Sequence, residues 1–262
     1  MFLPGLVSSV SGTGEAEVLR SVNQHGGSVT FASILQAASF LLLAIPLVYL
    51  FQAARARSER VLPAVLAIVI AAPLLIGAGT ILYGEARKEA AKDFVAGEAK
   101  PTISAQDLKE QCEDEKPLAP CEKEKREDDA ASNALSDASL TTPAGILTVG
   151  GGLLFAISLF YTCLWAMRVG LLSRFWGSLG MALGIAVLIG FIILAVVWFL
   201  YLGLLYLGFL PGGKPPAWEE GEAVPWATPG ERAAAELEPS GTLEGGDTAE
   251  PGAERRKRKQ RE

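Results

Sequence analysis

Four long blocks without a charged residue constrain this chain more than any other feature of its sequence. Residues 31–50, 61–84, 143–167 and 175–213 contain no Asp, Glu, Lys or Arg. A helix of about 20 apolar residues crosses the ~30 Å hydrocarbon core of a bilayer, so each block is long enough to span it. A charge at mid-membrane costs about 2.5–3.5 kcal/mol, which explains why the charges lie between the blocks. The sequence therefore predicts an all-α, helical transmembrane bundle of four or five spans.

The predicted spans alternate with polar segments of unequal length. The spans are residues 29–51, 61–83, 143–167 and 178–210, and the last is either one span or a hairpin. The other segments are a polar N-terminal tail (1–28), a basic link (52–60), a long acidic loop (84–142), a second basic link (168–177) and a C-terminal tail (211–262). The middle of the loop and both tails contain too little apolar surface to form a core, and they are predicted to be disordered. Residues 84–97 have helical composition and are expected to extend the second helix beyond the membrane.

The N-terminus is not expected to be a cleaved signal peptide. Residues 1–28 have neither a basic n-region nor a sustained apolar core. The first apolar block is therefore expected to act as its own insertion signal.

Positive charge in the two short links predicts how the chain is oriented. The first link contains Arg55, Arg57 and Arg60 against a single acid, and the second contains Arg168 and Arg174 without an acid. Because Lys and Arg in short loops favour the cytoplasm, both links are predicted to lie inside. The N-terminus and the acidic loop then lie outside. The C-terminal tail lies outside with four spans and inside with five.

The length of the last block, residues 178–210, fits neither one span nor two well. As one helix it would be about 50 Å long, and as two spans each half would have about 16 residues, just under the usual minimum. Gly190 is the turn site nearest its middle, and the basic run at residues 255–259 favours a cytoplasmic tail. We expect a hairpin that turns near Gly190, with one long tilted helix as the alternative.

Two pairs of residues are candidate structural sites. Cys112 and Cys121 lie in the loop predicted to be outside, where a disulfide closing a loop of about 10 residues would contribute roughly 2–3 kcal/mol. Two free thiols are the alternative. Gly180 and Gly184 have the spacing that allows helices to approach closely, either within one bundle or at a dimer face.

The sequence contains no recognisable catalytic, metal-binding or cofactor-binding motif. HExxH, a nucleophile elbow, a P-loop and a dinucleotide fingerprint are all absent, and the lone His25 lies far from the cysteines. An ion path usually needs an ionisable residue inside the spans, and these contain none. The net charge of −6 gives no reason to expect nucleic-acid binding. The expected partners are the lipid bilayer and other membrane proteins or further copies of this chain.

Motifs distributed over all the predicted spans carry a family resemblance. They are residues 53–58 (AARARS), 92–97 (KDFVAG), 167–180 (MRVGLLSRFWGSLG) and 211–218 (PGGKPPAW), together with the basic C-terminus. The chain thereby resembles a group of actinobacterial polytopic membrane proteins that has no assigned activity. The resemblance implies a multi-pass protein of the bacterial cytoplasmic membrane with four or five spans. It also implies a proline-containing turn in the last block, where this chain has Gly190 instead.

The leading hypothesis for function is a non-enzymatic accessory or scaffold component of the membrane. It follows from the charge-free spans, the missing catalytic motifs and the long polar segments available for contact with other molecules. One alternative is a small transporter or channel subunit for an uncharged solute. Another is a membrane enzyme that uses carboxylates of the acidic loop.

Overall fold

The computed structural model describes residues 14–113, 118–188, 192–210 and 213–226, which form helices joined by turns and short links and contain no strand. Their helices are α1 (Glu15–Gln24), α2 (Gly26–Arg57), α3 (Val65–Ala96), α4 (Ala105–Gln111), α5 (Leu118–Asp137), α6 (Thr141–Arg168), α7 (Arg174–Leu188), α8 (Ile192–Leu207) and α9 (Pro216–Glu220). The predicted all-α fold class is confirmed for these residues.

Three of the helices, α2, α3 and α6, are long and apolar enough to cross a membrane. They have 32, 32 and 28 residues, which at 1.5 Å per residue is about 42–48 Å and exceeds the ~30 Å core. The predicted spans 29–51 and 143–167 lie within α2 and α6. The span predicted at 61–83 begins later, at Val65, because Pro63 stands in a tight turn that leads into α3.

The outer surface of these helices is apolar. In α6 the exposed side chains Ile146, Val149, Leu153, Ile157 and Phe160 recur at intervals of three or four residues, so they form one stripe along the helix. A soluble protein would bury such a stripe against another element. The hydrocarbon of a bilayer would solvate it, so the exposed stripe is consistent with an integral membrane protein.

The helices run antiparallel between two distinct ends. At one end the amide of Leu62, just before α3, donates to the Tyr161 hydroxyl near the end of α6 at 2.8 Å. At the other end the Ser139 hydroxyl, just before α6, donates to the Glu89 carboxylate of α3 at 2.9 Å. Helix α3 therefore begins at the first end, and α2 and α6 end there. We call this first end, where both basic links lie, the link end.

The last apolar block contains two helices that fold back on each other. Near the start of α7 the Trp176 ring stacks on Tyr201 of α8, with centroids 3.7 Å apart. The Trp198 indole donates to the Trp176 carbonyl at 3.0 Å. The start of α7 thus contacts the middle of α8, and Tyr206 near the end of α8 donates to the Pro46 carbonyl of α2 at 2.8 Å. The two helices therefore form an antiparallel pair, and α8 ends at the link end. The turn expected near Gly190 lies outside the described residues.

Gly180 and Gly184 of α7 face the neighbouring helix α6 of the same chain. A Cβ at Gly180 would lie 2.5 Å from the Cys163 sulfur and 2.7 Å from the Trp198 ring. A Cβ at Gly184 would lie 2.9 Å from the Ala156 carbonyl oxygen. Both glycines therefore serve close packing inside one bundle, which was one of the two alternatives left open by their spacing.

The expectation of disorder in the middle of the long polar loop is wrong from residue 118 onwards. Helix α3 continues to Ala96, as its composition indicated, and the charge-dense stretch after residue 118 forms the 20-residue helix α5. The polar N-terminal tail likewise contains helix α1. We call α1, residues 84–96 of α3, α4 and α5 the head.

Small apolar residues hold the head together. Its core contains alanines at helical spacing on α3 and α5, and larger side chains of α1 pack against them; the members include Leu19, Val22, Ala86, Ala90, Ala131, Ala134 and Ala138. Alanine has the highest helix propensity and allows helices to pack closely. None of the charged side chains around these alanines in the described residues is buried, so a charge-rich segment can still form a folded unit.

Candidate functional site

Both basic links contact the same C-terminal segment, residues 213–226, which we call the strap. At the end of α2 the Arg57 Nε donates to the Ala217 carbonyl at 2.8 Å. After α6 the Val169 carbonyl accepts from the Val224 amide at 3.1 Å. The strap therefore joins the first and second links, which the sequence analysis assigned to the same side of the membrane.

Two tryptophans fasten the strap to the second link. Trp218 Nε1 donates to the Leu171 carbonyl at 2.9 Å, and Trp226 Nε1 donates to the Leu172 carbonyl at 2.8 Å. The Trp218 ring also lies 5.6 Å from the Arg57 guanidinium, a cation–π distance. These indole hydrogen bonds satisfy two backbone carbonyls of the link between α6 and α7.

Gly170 is required for the strap to dock. Its φ of +80° is in the left-handed region, where a side chain is strained. The Val224 carbonyl also lies so close that any Cβ at position 170 would overlap it. The segment at residues 167–180 therefore includes a glycine that this docking demands.

The predicted topology-determining arginines all belong to the link end, in different settings. Arg57 contacts the strap, and Arg174 donates to the Trp226 carbonyl at 3.2 Å. Arg168 lies 5.2 Å from the Trp165 ring. Arg55 and Arg60 are exposed. Arginines beside aromatic rings are typical of a membrane–water interface.

Cys112 and Cys121 are joined by a disulfide bond in the structure, with their Cα atoms 6.0 Å apart. The bond connects the end of α4 to the start of α5. Both cysteines are buried, and Leu108, one turn earlier in α4, is also buried. The disulfide therefore holds the short helix α4 against α5.

Three consecutive acids of α5 bind neighbouring parts of the head. Asp128 accepts a hydrogen bond from the Ala16 amide at 3.0 Å and so caps the start of α1. The Arg20 guanidinium donates to Glu127 at 2.6 Å, and this hydrogen bond lowers the pKa of the Glu127 carboxyl. Burial would raise the pKa of Asp129, but hydrogen bonds from the amides before α4 outweigh it and lower that pKa. Each carboxylate thus has a structural partner.

An open groove of about 410 Å³ lies on the head between the end of α3 and α5. It is lined by Phe94, Pro101, Ala119, Glu122, Lys123, Arg126, Glu127 and Ala130. The Arg20 guanidinium lies 5.5 Å from the Phe94 ring centroid. Sequence reasoning missed this groove because its walls come from segments that are about 20–35 residues apart in the chain.

No group of three or more His, Cys, Asp or Glu side chains in the described part of the chain could hold a metal ion. Comparison with known protein families, curated proteins and solved structures finds no match for this chain. Function is therefore inferred from its own residues and contacts.

Proposed function

We propose that this protein is a non-enzymatic accessory or scaffold component of the bacterial cytoplasmic membrane, which holds a folded helical head at the membrane surface for contact with another protein. The observation that carries the proposal is the continuity of α3. This 32-residue helix runs from the apolar bundle into the head without interruption. A head built on a membrane helix is held at a defined height and orientation, which suits a docking platform.

The carboxylates of the head support a binding role over catalysis. A general acid and base need neighbouring carboxyl groups that are free to exchange protons with a substrate. Glu127 is paired with Arg20, Asp128 caps α1, and Asp129 accepts the amides of Thr102 and Ile103. These groups stabilise the head, and lowered pKa values keep Glu127 and Asp129 ionised.

The topology that fits this role has five spans, with the head outside and the strap inside. Positive charge of the links favours a cytoplasmic link end, and α8 returns the chain to that end. An external head also agrees with the Cys112–Cys121 pair, because disulfides persist outside the cytoplasm. At about 24 Å, α8 is short for a span, and local thinning of the bilayer accommodates that length.

Site-specific photo-crosslinking in intact cells tests the docking role. A photoreactive residue at exposed head positions, Lys123 or Ser132, should yield one protein adduct of defined mass. Lipid-facing positions, Leu42 and Ile146, serve as controls and should yield lipid adducts. The variant Ala90→Asp places a charge in the head core and should abolish the protein adduct while the protein stays in the membrane. If no head position gives a protein adduct, the proposal fails.

A transporter for an uncharged solute is the second candidate, and two buried hydroxyl groups favour it. Ser158 and Thr162 of α6 are fully buried, and the Thr162 hydroxyl has no hydrogen-bond partner among the described residues. A polar solute passing through the bundle would need such groups. Uptake of labelled glycerol and urea into liposomes that contain the pure protein would support this candidate if Thr162→Val reduced it. Uptake equal to that of empty liposomes would exclude transport of these solutes.

A further inference from the structure

We propose that the groove on the head binds a peptide segment of a partner protein in which an apolar side chain is followed closely by a carboxylate. This inference rests on the proposed docking role of the head and names the surface and the partner's chemistry.

The groove has an apolar floor in a part of the molecule outside the apolar bundle. Phe94, Pro101, Ala119 and Ala130 line it, and Phe94 is only half-buried. Next to it on α3, Val95 has 52% of its surface exposed. Apolar surface in contact with water gains free energy when another apolar group covers it. The floor therefore suits an aliphatic or aromatic side chain.

Each wall of the groove is held by its own contact. The Arg20 guanidinium lies against the Phe94 ring. Asp129 accepts hydrogen bonds from the Thr102 and Ile103 amides, which holds the neighbouring Pro101 in place. The disulfide at Cys121 holds the start of α5, where Ala119 and Glu122 lie. A groove with fixed walls loses little conformational entropy when a ligand binds.

The rim of the groove has a cation without a partner in the protein. Glu127 is neutralised by Arg20 at 2.6 Å, and Lys123 approaches it at 3.8 Å. Arg126 is exposed and forms no ion pair or hydrogen bond within the described residues. It stands in a segment, residues 84–142, that has 15 acids and 9 bases. A guanidinium binds carboxylates in a two-point geometry, so Arg126 selects an acidic group.

The second charged residue of the rim sets the direction of the bound segment. Glu122 precedes Arg126 by one helical turn, about 6 Å along α5. The pair therefore presents an acceptor at one end of the groove and a donor at the other. The partner's carboxylate lies at the Arg126 end, and its backbone N–H or an amino group lies at the Glu122 end. A volume of about 410 Å³ holds a few residues of peptide.

Binding of fluorescent peptides to the full chain in phosphatidylcholine nanodiscs tests the proposal. The probe is an eight-residue peptide with Phe-Asp at its centre, and the matched probe has Phe-Asn, which keeps the shape and removes the charge. Fluorescence anisotropy should show at least tenfold tighter binding of the Phe-Asp peptide. Arg126→Gln should remove that preference. Lys125→Gln, a cation of the same helix that does not line the groove, should keep it.

A charge exchange provides an independent check. Arg126→Glu should reject the Phe-Asp peptide and bind a Phe-Lys peptide instead. Equal binding of the Phe-Asp and Phe-Asn peptides would overturn the groove proposal. Complete displacement of the Phe-Asp peptide by N-acetylaspartate would also overturn it, because the site would then bind a small carboxylate and not a peptide. Adducts from head positions would still support the docking role in either case. Loss of those adducts as well would overturn both proposals.

Discussion

Replacing Gly180 by alanine should destabilise the bundle, although alanine normally stabilises a helix. The new methyl group would lie 2.5 Å from the Cys163 sulfur and 2.7 Å from the Trp198 ring, both inside van der Waals contact. Trp198 cannot move away easily, because it is fully buried and its indole donates to the Trp176 carbonyl at 3.0 Å. Cys163 is fully buried too.

The expected size follows from two opposing effects. Forcing an extra methyl group into a packed core costs about 1–3 kcal/mol. Alanine in place of glycine inside a helix contributes about 0.5–1 kcal/mol in the other direction. Gly180→Ala should therefore lower the free energy of unfolding by roughly 0.5–2 kcal/mol. Gly150→Ala is the matched control, since no atom outside the local backbone lies within 4 Å of its Cβ position, and it should be neutral or stabilising.

Equilibrium unfolding in mixed detergent micelles, followed by tryptophan fluorescence, measures this difference. The double variant Gly180→Ala, Cys163→Ala should recover part of the loss, because the sulfur contact is removed while the Trp198 contact remains. Cys163→Ala alone provides the reference for that comparison. If Gly180→Ala proved as stable as Gly150→Ala, or if it changed the oligomeric state alone, the packing inferred for α7 against α6 would be refuted.

Three further predictions concern the head and the tail. Protein from non-reduced membranes should be two hydrogens lighter than the fully reduced chain, because Cys112 and Cys121 are joined. Two free thiols would contradict this. Cys112→Ser should lower the free energy of unfolding of the head by roughly 2–3 kcal/mol. A reporter fused after Glu262 should be fluorescent as a cytoplasmic protein and inactive as alkaline phosphatase, and the reverse would indicate an external tail. The pKa of Glu127 is lowered in the folded head, so its ionised carboxylate stabilises the head at pH values above the ordinary pKa of 4.5. This contribution should disappear as the pH falls through the folded pKa. In a plot of head stability against pH, Glu127→Gln should therefore show a smaller loss of stability at acid pH.

Composition alone predicted the apolar spans of this protein. Hydrocarbon excludes charge residue by residue, so the charge-free runs corresponding to α2, α3 and α6 can be recognised without knowing any contact. The continuation of α3 past its charge-free run is equally local, since residues 84–97 are rich in helix formers. The position of Cys112 and Cys121 in a loop predicted to lie outside favoured the disulfide that the structure contains, with two free thiols as the alternative.

Contacts between distant residues decided the rest. The head depends on alanines of α3 and α5 that meet only after folding. Charge density in the middle of the loop therefore led to an expectation of disorder that is wrong for residues 118–129. Arg57 and Ala217, which join the first link to the strap, are separated by 160 residues. The antiparallel packing of α7 and α8 depends on the stacking of Trp176 on Tyr201. The groove forms where Phe94 of α3 lies opposite α5. Local composition is recorded in the sequence directly, whereas such pairings depend on which surfaces fit together in three dimensions.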